Sequence, residues 1–219
     1  MKNNLENNMK INLFLLFFSL ILLSGCQRVE KLYYPDGSLA AEYSIKKGLK
    51  HGAAYQYDKA GNKIAEMNYS KNMLNGDYKE YYPNGSIKSI IKYENNKKNG
   101  TAIYYDILGN IIEELTYEND TLNGIYREYY SNNMVKKEGF YKKGKFDGKW
   151  HYYNENGFLV GIGQFDNGNG VLTTFYPYSD NIQSITYFEN NQKNGIEIVL
   201  SIDGDTIEKN YYKNDVKMK

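Results

Sequence analysis

The chain has 219 residues, with 27 Lys and Arg against 26 Asp and Glu. Lys2, Lys10 and Glu6 precede Cys26, so the segment after that cysteine is formally neutral. A neutral chain lacks the clustered basic surface that nucleic-acid binding requires, so composition excludes nucleic acid as the expected partner. The 24 Tyr and 20 Gly, with only three Pro, favour half-buried strands joined by tight turns over long helices.

The first predicted element is an apolar run of thirteen residues, Ile11–Leu23, preceded by Lys10. This run is shorter than the roughly 20 residues that a membrane-spanning helix needs. It has the length of the apolar core of a secretory signal peptide, and we therefore interpret residues 1–25 as a signal peptide. Either Met1 or Met9 serves as the start in this interpretation.

The run ends in Leu23-Ser24-Gly25-Cys26, which resembles the lipobox of bacterial lipoproteins. The resemblance implies that Cys26 is acylated and becomes the first residue of the mature protein. Cys26 is the sole cysteine, so it cannot form an internal disulfide or a cysteine-based zinc site. The alternative is a simple cleaved signal followed by an incidental cysteine.

A lipid anchor makes the membrane one expected partner. Each buried CH₂ group of an acyl chain contributes about 0.8 kcal/mol, and more than one chain makes the attachment stable. Gln27 stands where an Asp retains enterobacterial lipoproteins at the inner membrane, so the resemblance implies outer-membrane attachment in a Gram-negative source. We predict a cell-envelope protein in which residues 26–30 are a short tether and residues 31–219 form the folded array.

Turn residues recur along that array in two series, each with a period of 24 residues. The first series comprises Gly37, Gly61, Gly85, Gly109, Asn133, Gly157 and Asn181, followed by Gly204. The second series comprises Gly52, Gly76, Gly100, Gly124 and Gly148, followed by Gly170 and Gly195. Most of these glycines follow Asn or Asp, a pair that suits type I′ hairpin turns. Both series are therefore predicted as structural turns of a β-hairpin repeat.

Two aromatic columns accompany the turns. The column four residues before the first-series turn holds Tyr33, Tyr57, Tyr81, Tyr105, Tyr129 and Tyr153, and the column eight residues after it holds Tyr69, Tyr93, Tyr117, Tyr141 and Phe165. Repetition in register predicts cross-strand ladders in an all-β, elongated antiparallel meander of about fifteen strands. We expect a curved, largely single-layer sheet of about seven repeats, and closure of the sheet on itself or a solenoid is the alternative.

The period weakens near the C-terminus. Gly168-Asn169-Gly170 comes two residues early, and Pro177-Tyr178-Ser179-Asp180 lengthens the next connection. Glu189 then falls at the position of the second aromatic column. Atypical terminal repeats of this kind limit edge-to-edge growth of repeat arrays, although simple sequence drift explains the irregularity equally well.

The repeated unit Gly-x-Tyr-x-x-Tyr-Tyr-x-Asn-Gly, followed by a branched strand, resembles the MORN-repeat-variant family. Residues 76–85 (GDYKEYYPNG) and 124–133 (GIYREYYSNN) carry the resemblance most plainly, and it covers nearly all of residues 31–219. It implies a β-hairpin repeat fold, the label of antitoxin-like protein, and association with membranes or protein partners. An exported protein could not neutralise a cytoplasmic toxin, so the lipobox departs from the antitoxin expectation.

The sequence contains no recognisable catalytic or metal constellation. The two histidines, His51 and His151, are too few for the usual zinc sites, and neither stands in a nucleophile-elbow pattern. His51 is predicted to cap a turn, and His151 is predicted to lie on a solvent-facing strand. We therefore expect no enzymatic activity, no catalytic residue, no metal and no small-molecule cofactor.

Three functions are compatible with this sequence. The leading hypothesis is an interaction module whose extended β surface binds another protein or an envelope component, with Tyr57, Tyr81, Tyr105, Tyr129 and Tyr153 as the candidate surface. The second is binding of glycan or cell wall, in which these tyrosines stack on sugar rings instead of on each other. The third is an immunity-type role in the envelope, which the antitoxin label implies.

Overall fold

A computed structural model of the protein describes residues 27–218, and the predicted signal peptide and Cys26 lie outside this range. The described residues form one sheet of eighteen antiparallel strands and contain no helix. Each strand pairs with the next along the chain, except that β5 and β6 both pair with β4. Strands contact only their near neighbours in this order, so the sheet is open and has a single layer. The predicted all-β meander is confirmed.

The strands have the following bounds: β1 (Arg28–Tyr33), β2 (Leu39–Lys46), β3 (Leu49–Tyr57), β4 (Lys63–Ser70), β5 (Met73–Leu74), β6 (Gly76–Tyr81), β7 (Ile87–Glu94), β8 (Lys97–Tyr105), β9 (Ile111–Glu118), β10 (Thr121–Tyr129), β11 (Val135–Lys142), β12 (Lys145–Tyr153), β13 (Leu159–Asp166), β14 (Asn169–Phe175), β15 (Ile182–Glu189), β16 (Gln192–Leu200), β17 (Thr206–Lys213) and β18 (Val216–Lys217). The count exceeds fifteen partly because β5 and β6 are two halves of one strand. Since β1 begins at Arg28 and pairs with β2, the predicted tether of residues 26–30 is too long.

The tight hairpin turns have two residues, both with positive φ. They are Lys71-Asn72, Asn95-Asn96, Asn119-Asp120, Asn190-Asn191 and Asn214-Asp215, together with Lys47-Gly48, Lys143-Gly144 and Asn167-Gly168. Positive φ at both central residues is the requirement of type I′ turns, which Asn, Asp and Gly meet at the lowest cost. All of these turns lie at the same end of the hairpins, along one side of the sheet, which we name the tight rim.

The second series of glycines does not form the hairpin turns, so this part of the prediction was wrong. Gly52, Gly100, Gly124 and Gly148 lie inside strands, and Gly76 begins β6. The register shifts at each of these positions. In β8, for example, the three residues 99–101 lie opposite the single residue Lys92 of β7. These glycines form bulges, and Gly100 has a φ of 104°, which only glycine adopts readily.

An Asn precedes most of the bulge glycines and explains why the pattern imitates a turn. Asn123 donates its side-chain amide to Glu118 across the hairpin at 2.6 Å. Asn99 makes the same contact with Glu94, and Asn194 makes it with Glu189. A bulge therefore uses the same Asn-Gly pair as a turn, and only the strand pairing distinguishes the two.

The first series of glycines lies in the connections at the opposite ends of the strands, along the side of the sheet that we name the wide rim. Gly37, Gly61, Gly85, Gly109 and Gly157 occupy five-residue turns between consecutive strands and have positive φ. In each turn the glycine N–H donates to the carbonyl of the first turn residue, as from Gly61 to Asp58 at 3.0 Å. In the longer turn that follows β14, Ser179 takes this place, and Asn181 stands at the end of the turn.

One face of the sheet, the inner face, carries the apolar core. A first cluster comprises Ala41, Tyr43, Ile45, Ala54, Ala65 and Met67, and a second comprises Ile91, Ala102, Leu115, Tyr126, Trp150 and Phe165. Small residues such as Ala54 are buried because Tyr43 and Met67, which pair with Ala54 on either side, cover them. The second aromatic column also lies here, and burial raises the pKa of Tyr141 to about 12.

The C-terminal irregularity has a simple structural cause. No register shift separates β13 from β14, so this hairpin lacks the bulge, and β14 has seven residues where most of the equivalent strands have nine. The following turn gains one residue, and the repeat is one residue shorter in total. Phe188 therefore takes the place in the aromatic column that the sequence pattern assigned to Glu189, and its ring lies 5.5 Å from that of Phe165.

Candidate functional site

The candidate surface is the face opposite the core, which we name the outer face. Tyr57, Tyr81, Tyr105, Tyr129 and Tyr153 all lie on it, at the ends of β3, β6, β8, β10 and β12. Each of the five is half-buried. Their rings do not stack on one another, whereas the aromatic contacts of the inner face run almost continuously from Tyr126 to Phe188.

Four of these tyrosines donate their hydroxyl to a glutamate fifteen positions earlier in the chain. The pairs are Tyr57 with Glu42 at 3.1 Å, Tyr81 with Glu66 at 3.0 Å, Tyr129 with Glu114 at 2.9 Å and Tyr153 with Glu138 at 3.2 Å. At the equivalent position for Tyr105, Ile90 stands in place of the glutamate, so this tyrosine lacks the acceptor. The hydroxyl ladder therefore aligns consecutive repeats.

Basic side chains complete the ladder on the same face. Lys31 contacts Glu42 at 2.9 Å, and Arg127 lies between Glu114 and Glu138 at 3.7 and 3.1 Å. The hydrogen bond from Lys31, aided by that from Tyr57, lowers the pKa of Glu42. Partial burial, and then the bond to Glu114, raises the pKa of Tyr129. These glutamates of the outer face are therefore paired with basic side chains of neighbouring strands.

A shallow groove of about 180 Å³ lies on this face across β8, β9 and β10. Its lining includes Thr101, Ile103, Ile125 and Arg127. A similar groove of about 210 Å³ lies three repeats earlier, at the equivalent positions of β1, β2 and β3. Both grooves are shallow, open features of the sheet surface.

The structure reveals a longer period of 48 residues that the sequence analysis missed. On the wide rim, three tyrosines that begin turns donate their hydroxyl to a backbone carbonyl of the next hairpin, at 2.8 to 2.9 Å. The pairs are Tyr34 with Tyr57, Tyr82 with Tyr105, and Tyr130 with Tyr153. The alternate turns begin with Asp58, Asp106 or Asn154, and their side chains accept from residues of their own turn. Pro35 and Pro83, also 48 apart, were the signal in the sequence that could have revealed this alternation.

The structure also reveals a polar cluster on the inner face near the C-terminus. Glu197 accepts hydrogen bonds from Thr186 and Lys193 on one oxygen, and from Asn210 and Tyr212 on the other, at 2.8 to 3.2 Å. Thr186 and Asn210 are buried. Burial alone would raise the pKa of Glu197, but the bonds from Lys193 and Asn210 outweigh it and lower the pKa. All of these polar groups are satisfied within the chain.

The two histidines do not meet. His51 lies in β3 beside a bulge rather than capping a turn, and His151 lies on the half-buried outer face with its ring 6.4 Å from that of Tyr153. Across residues 27–218 no group of three His, Cys, Asp or Glu side chains is placed to hold a metal ion. The same part of the chain has no helix long and apolar enough to cross a membrane.

An open meander of stacked hairpins with ladders on both faces defines the class of β-hairpin repeat proteins. Within this class, residues 74–95 and 122–143 match the family described as MORN repeat variant. The chain therefore contains MORN repeat variants, and the predicted family is confirmed. The two matched segments begin 48 residues apart. Each contains a wide-rim turn that starts with a tyrosine, Tyr82 in one and Tyr130 in the other, which agrees with the 48-residue period.

Solved structures share only a general likeness with the chain. A porin-like protein from Bacteroides uniformis is 11% identical over 87% of this chain and 90% of its own length, with a TM-score of 0.25. The Tc holotoxin pore of Photorhabdus luminescens is 12% identical over 84% of this chain and 14% of its own length, with a TM-score of 0.19. No curated protein matches the chain. At these TM-scores neither structure carries an argument about function.

Proposed function

We propose that this chain is a non-catalytic repeat lipoprotein of the cell envelope whose outer face binds another protein. The observation that carries the proposal is the outer face itself, on which Tyr, Glu and basic side chains recur in register along a single-layer sheet. Repeat arrays use extended surfaces of this kind for binding. Tyr and Arg are also the residue types that contribute most to protein interfaces.

The arrangement favours a protein over a glycan as the partner. Stacking on sugars needs free ring faces, and the Nζ atom of Lys63 lies 4.6 Å from the centre of the Tyr81 ring. The hydroxyl groups of four tyrosines in the column are already bonded to glutamates. Co-sedimentation of the protein with purified peptidoglycan would contradict this choice.

The pull-down that tests the proposal compares three forms of the chain as bait in solubilised envelopes. Arg127→Glu reverses one charge in the middle of the outer face, and Lys59→Glu makes the same change at an exposed turn of the wide rim. We expect the wild type and Lys59→Glu to recover the same protein, and Arg127→Glu to lose it. Recovery of nothing specific, or equal recovery by all three baits, would reject the proposed binding face.

The lipid anchor is tested separately at Cys26. Only Gln27 separates Cys26 from the first strand in the sequence, so acylation would hold the array directly at the membrane surface. We expect Cys26→Ala to move the protein from the membrane to the soluble fraction, and the N-terminal peptide of the wild type to carry the mass of a diacyl or triacyl group. An unmodified Cys26 in the membrane-bound protein would reject the anchor.

A further inference from the structure

The outer face becomes apolar on β13 to β16, and the inner face becomes more polar on β15 to β17. On the outer face, Ile162 and Ile185 stand where earlier repeats have the glutamates of the ladder, and Phe175 and Leu200 stand where they have the tyrosines. On the inner face of β15 to β17, Thr186 and Asn210 are buried and Glu197 is half-buried, and Phe188 is the last ring of the aromatic column beside them. Both partners of each ladder pair are thus replaced together.

The replacement creates an apolar surface on β13 to β16 that surrounds Thr173. We name it the apolar outer patch, and it comprises Ile162, Val171, Phe175, Ile185, Ile198 and Leu200. All six side chains are half-buried by neighbours within the sheet, and the single-layer fold places no second layer over them. An apolar face without cover, opposite a fully bonded polar face, indicates a contact with another molecule.

We propose that the apolar outer patch packs against the same patch of a second copy of this chain. The proposal rests on the proposed function, because it assigns one partner to the outer face. Two identical sheets have the same twist, so they can stack face to face about 10 Å apart. Strands β11 to β17 would bury on the order of 1,000 Å² in total, which is near the lower limit for a specific interface.

The charges at the borders of the patch select one symmetry. Glu138 on β11 and Lys209 on β17 belong to the same outer column as Ile162, Ile185 and Ile198. A two-fold axis parallel to the strands and centred on β14 places Lys209 of each copy opposite Glu138 of the other. A two-fold axis perpendicular to the strands would place Lys209 against Lys209 instead. The first arrangement avoids the contact between two lysines and places Lys209 beside Glu138, which also keeps its contact with Arg127.

Cysteine cross-linking of the full chain in intact membranes tests this dimer. Thr173 lies at the centre of the patch on β14, so two copies of Thr173→Cys should be joined by a bis-maleimide reagent whose arm spans the gap of about 10 Å between the sheets. The matched control is Thr101→Cys, which lies on the outer face of β8, far outside the patch. We expect a dimer from Thr173→Cys and none from Thr101→Cys. No dimer from Thr173→Cys, or equal amounts from both variants, would overturn the proposal.

A charge exchange in the Thr173→Cys background separates a specific dimer from misfolding. Glu138→Lys alone and Lys209→Glu alone should each reduce cross-linking by about tenfold or more, because both place like charges at the border. Co-expression of the two variants should restore cross-linking, since each border contact of their mixed dimer joins a lysine of one copy to a glutamate of the other. Failure of the mixture to recover cross-linking would overturn the assigned symmetry. A foreign protein recovered by the pull-down without any Thr173→Cys dimer would overturn this inference and leave the proposed function intact.

Discussion

At the scale of single residues, glycines inside the strands of the inner face make room for large aromatic rings. Trp150 is fully buried although the sheet has one layer, because its indole ring lies over Gly139 on the neighbouring strand. Gly163, on the other side of Trp150, leaves space for the ring of Phe165 in the same way. Aromatic side chains that cover strand glycines restore the packing that a glycine otherwise loses.

Gly139→Ala should therefore destabilise the protein. A Cβ atom at this position would lie 2.1 Å from the nearest atom of the Trp150 ring, and the buried ring has no free space to move into. We expect a loss of about 1–3 kcal/mol in the free energy of unfolding. Urea unfolding followed by tryptophan fluorescence measures this loss.

The matched control is Gly161→Ala on the adjacent inner-face row. Its added Cβ would meet its neighbours at 3.3 to 3.6 Å, which is tight but tolerable contact. This variant should lose much less stability than Gly139→Ala. Equal losses would show that the absence of a side chain at Gly139 is unrelated to the position of Trp150.

At the scale of elements, the tight turns bind consecutive hairpins to each other. The second residue of a tight turn bonds to a strand of the preceding hairpin. The N–H of Asn96, for example, donates to the carbonyl of Leu74, and the side-chain oxygen of Asn96 accepts from the N–H of Leu74. Gly168 has no side chain for this purpose, so Asn191 from the next hairpin reaches across and accepts from the N–H of Phe146 at 2.8 Å. Asn191 also donates to the carbonyl of Gly144.

Asn191→Gly should open this junction locally. Glycine retains the positive φ of the turn but removes two side-chain hydrogen bonds, which contribute about 1–2 kcal/mol together. We expect faster hydrogen exchange at the Phe146 amide. In the control Asn96→Gly, exchange should rise at Leu74 and stay unchanged at Phe146. Unchanged exchange at Phe146 in Asn191→Gly would show that this junction does not depend on the side chain.

The bonded carboxylate of Glu197 should make the last hairpins sensitive to acid. Its pKa in the folded protein is lower than the ordinary value of 4.5, so its stabilising contribution is complete above that value and is lost as the pH falls through the folded pKa. Hydrogen exchange in β15 to β17 should rise at low pH before exchange in β7 and β8. Glu197→Gln should remove most of this difference, and an unaltered pH profile in that variant would assign the sensitivity to other groups.

At the scale of the whole molecule, the array is a chain of neighbour contacts with two apolar clusters in sequence. The first cluster extends from Ala41 to Met67 with Tyr78 packed against it, and the second begins at Ile91. The rings of Tyr78 and Tyr93 meet at 5.7 Å and connect the two clusters. In repeat arrays stability is close to the sum of local terms, so damage in one cluster should remain largely local.

Met67→Ala tests this expectation. Met67 is almost completely buried, and its truncation should cost about 2–5 kcal/mol in the first cluster. Hydrogen exchange should accelerate in β2 to β6 and change much less in β10 to β13. Uniform acceleration along the chain would show that the two clusters unfold as one cooperative unit.

The sequence by itself determined the fold class, the 24-residue period, the wide-rim turns and the two aromatic columns. These features depend on local chemistry, since Gly, Asn and Asp at fixed spacing specify turns and alternation specifies the faces of a strand. The same local chemistry could not distinguish a bulge from a turn at Gly100, because Asn-Gly suits both. The register between β7 and β8 determines that Gly100 lies in a bulge.

Only the tertiary structure decided which tyrosines are bonded and where the outer face becomes apolar. Whether Tyr105 finds an acceptor depends on Ile90, which is distant in sequence but adjacent in the sheet. Because the bulge between β13 and β14 is missing, every later column is displaced by one position in the sequence. Strand register, rather than composition, therefore places Ile185 on the outer face and Glu197 on the inner face. A shift of one residue in register exchanges the two faces of a strand, and register is set by contacts between strands.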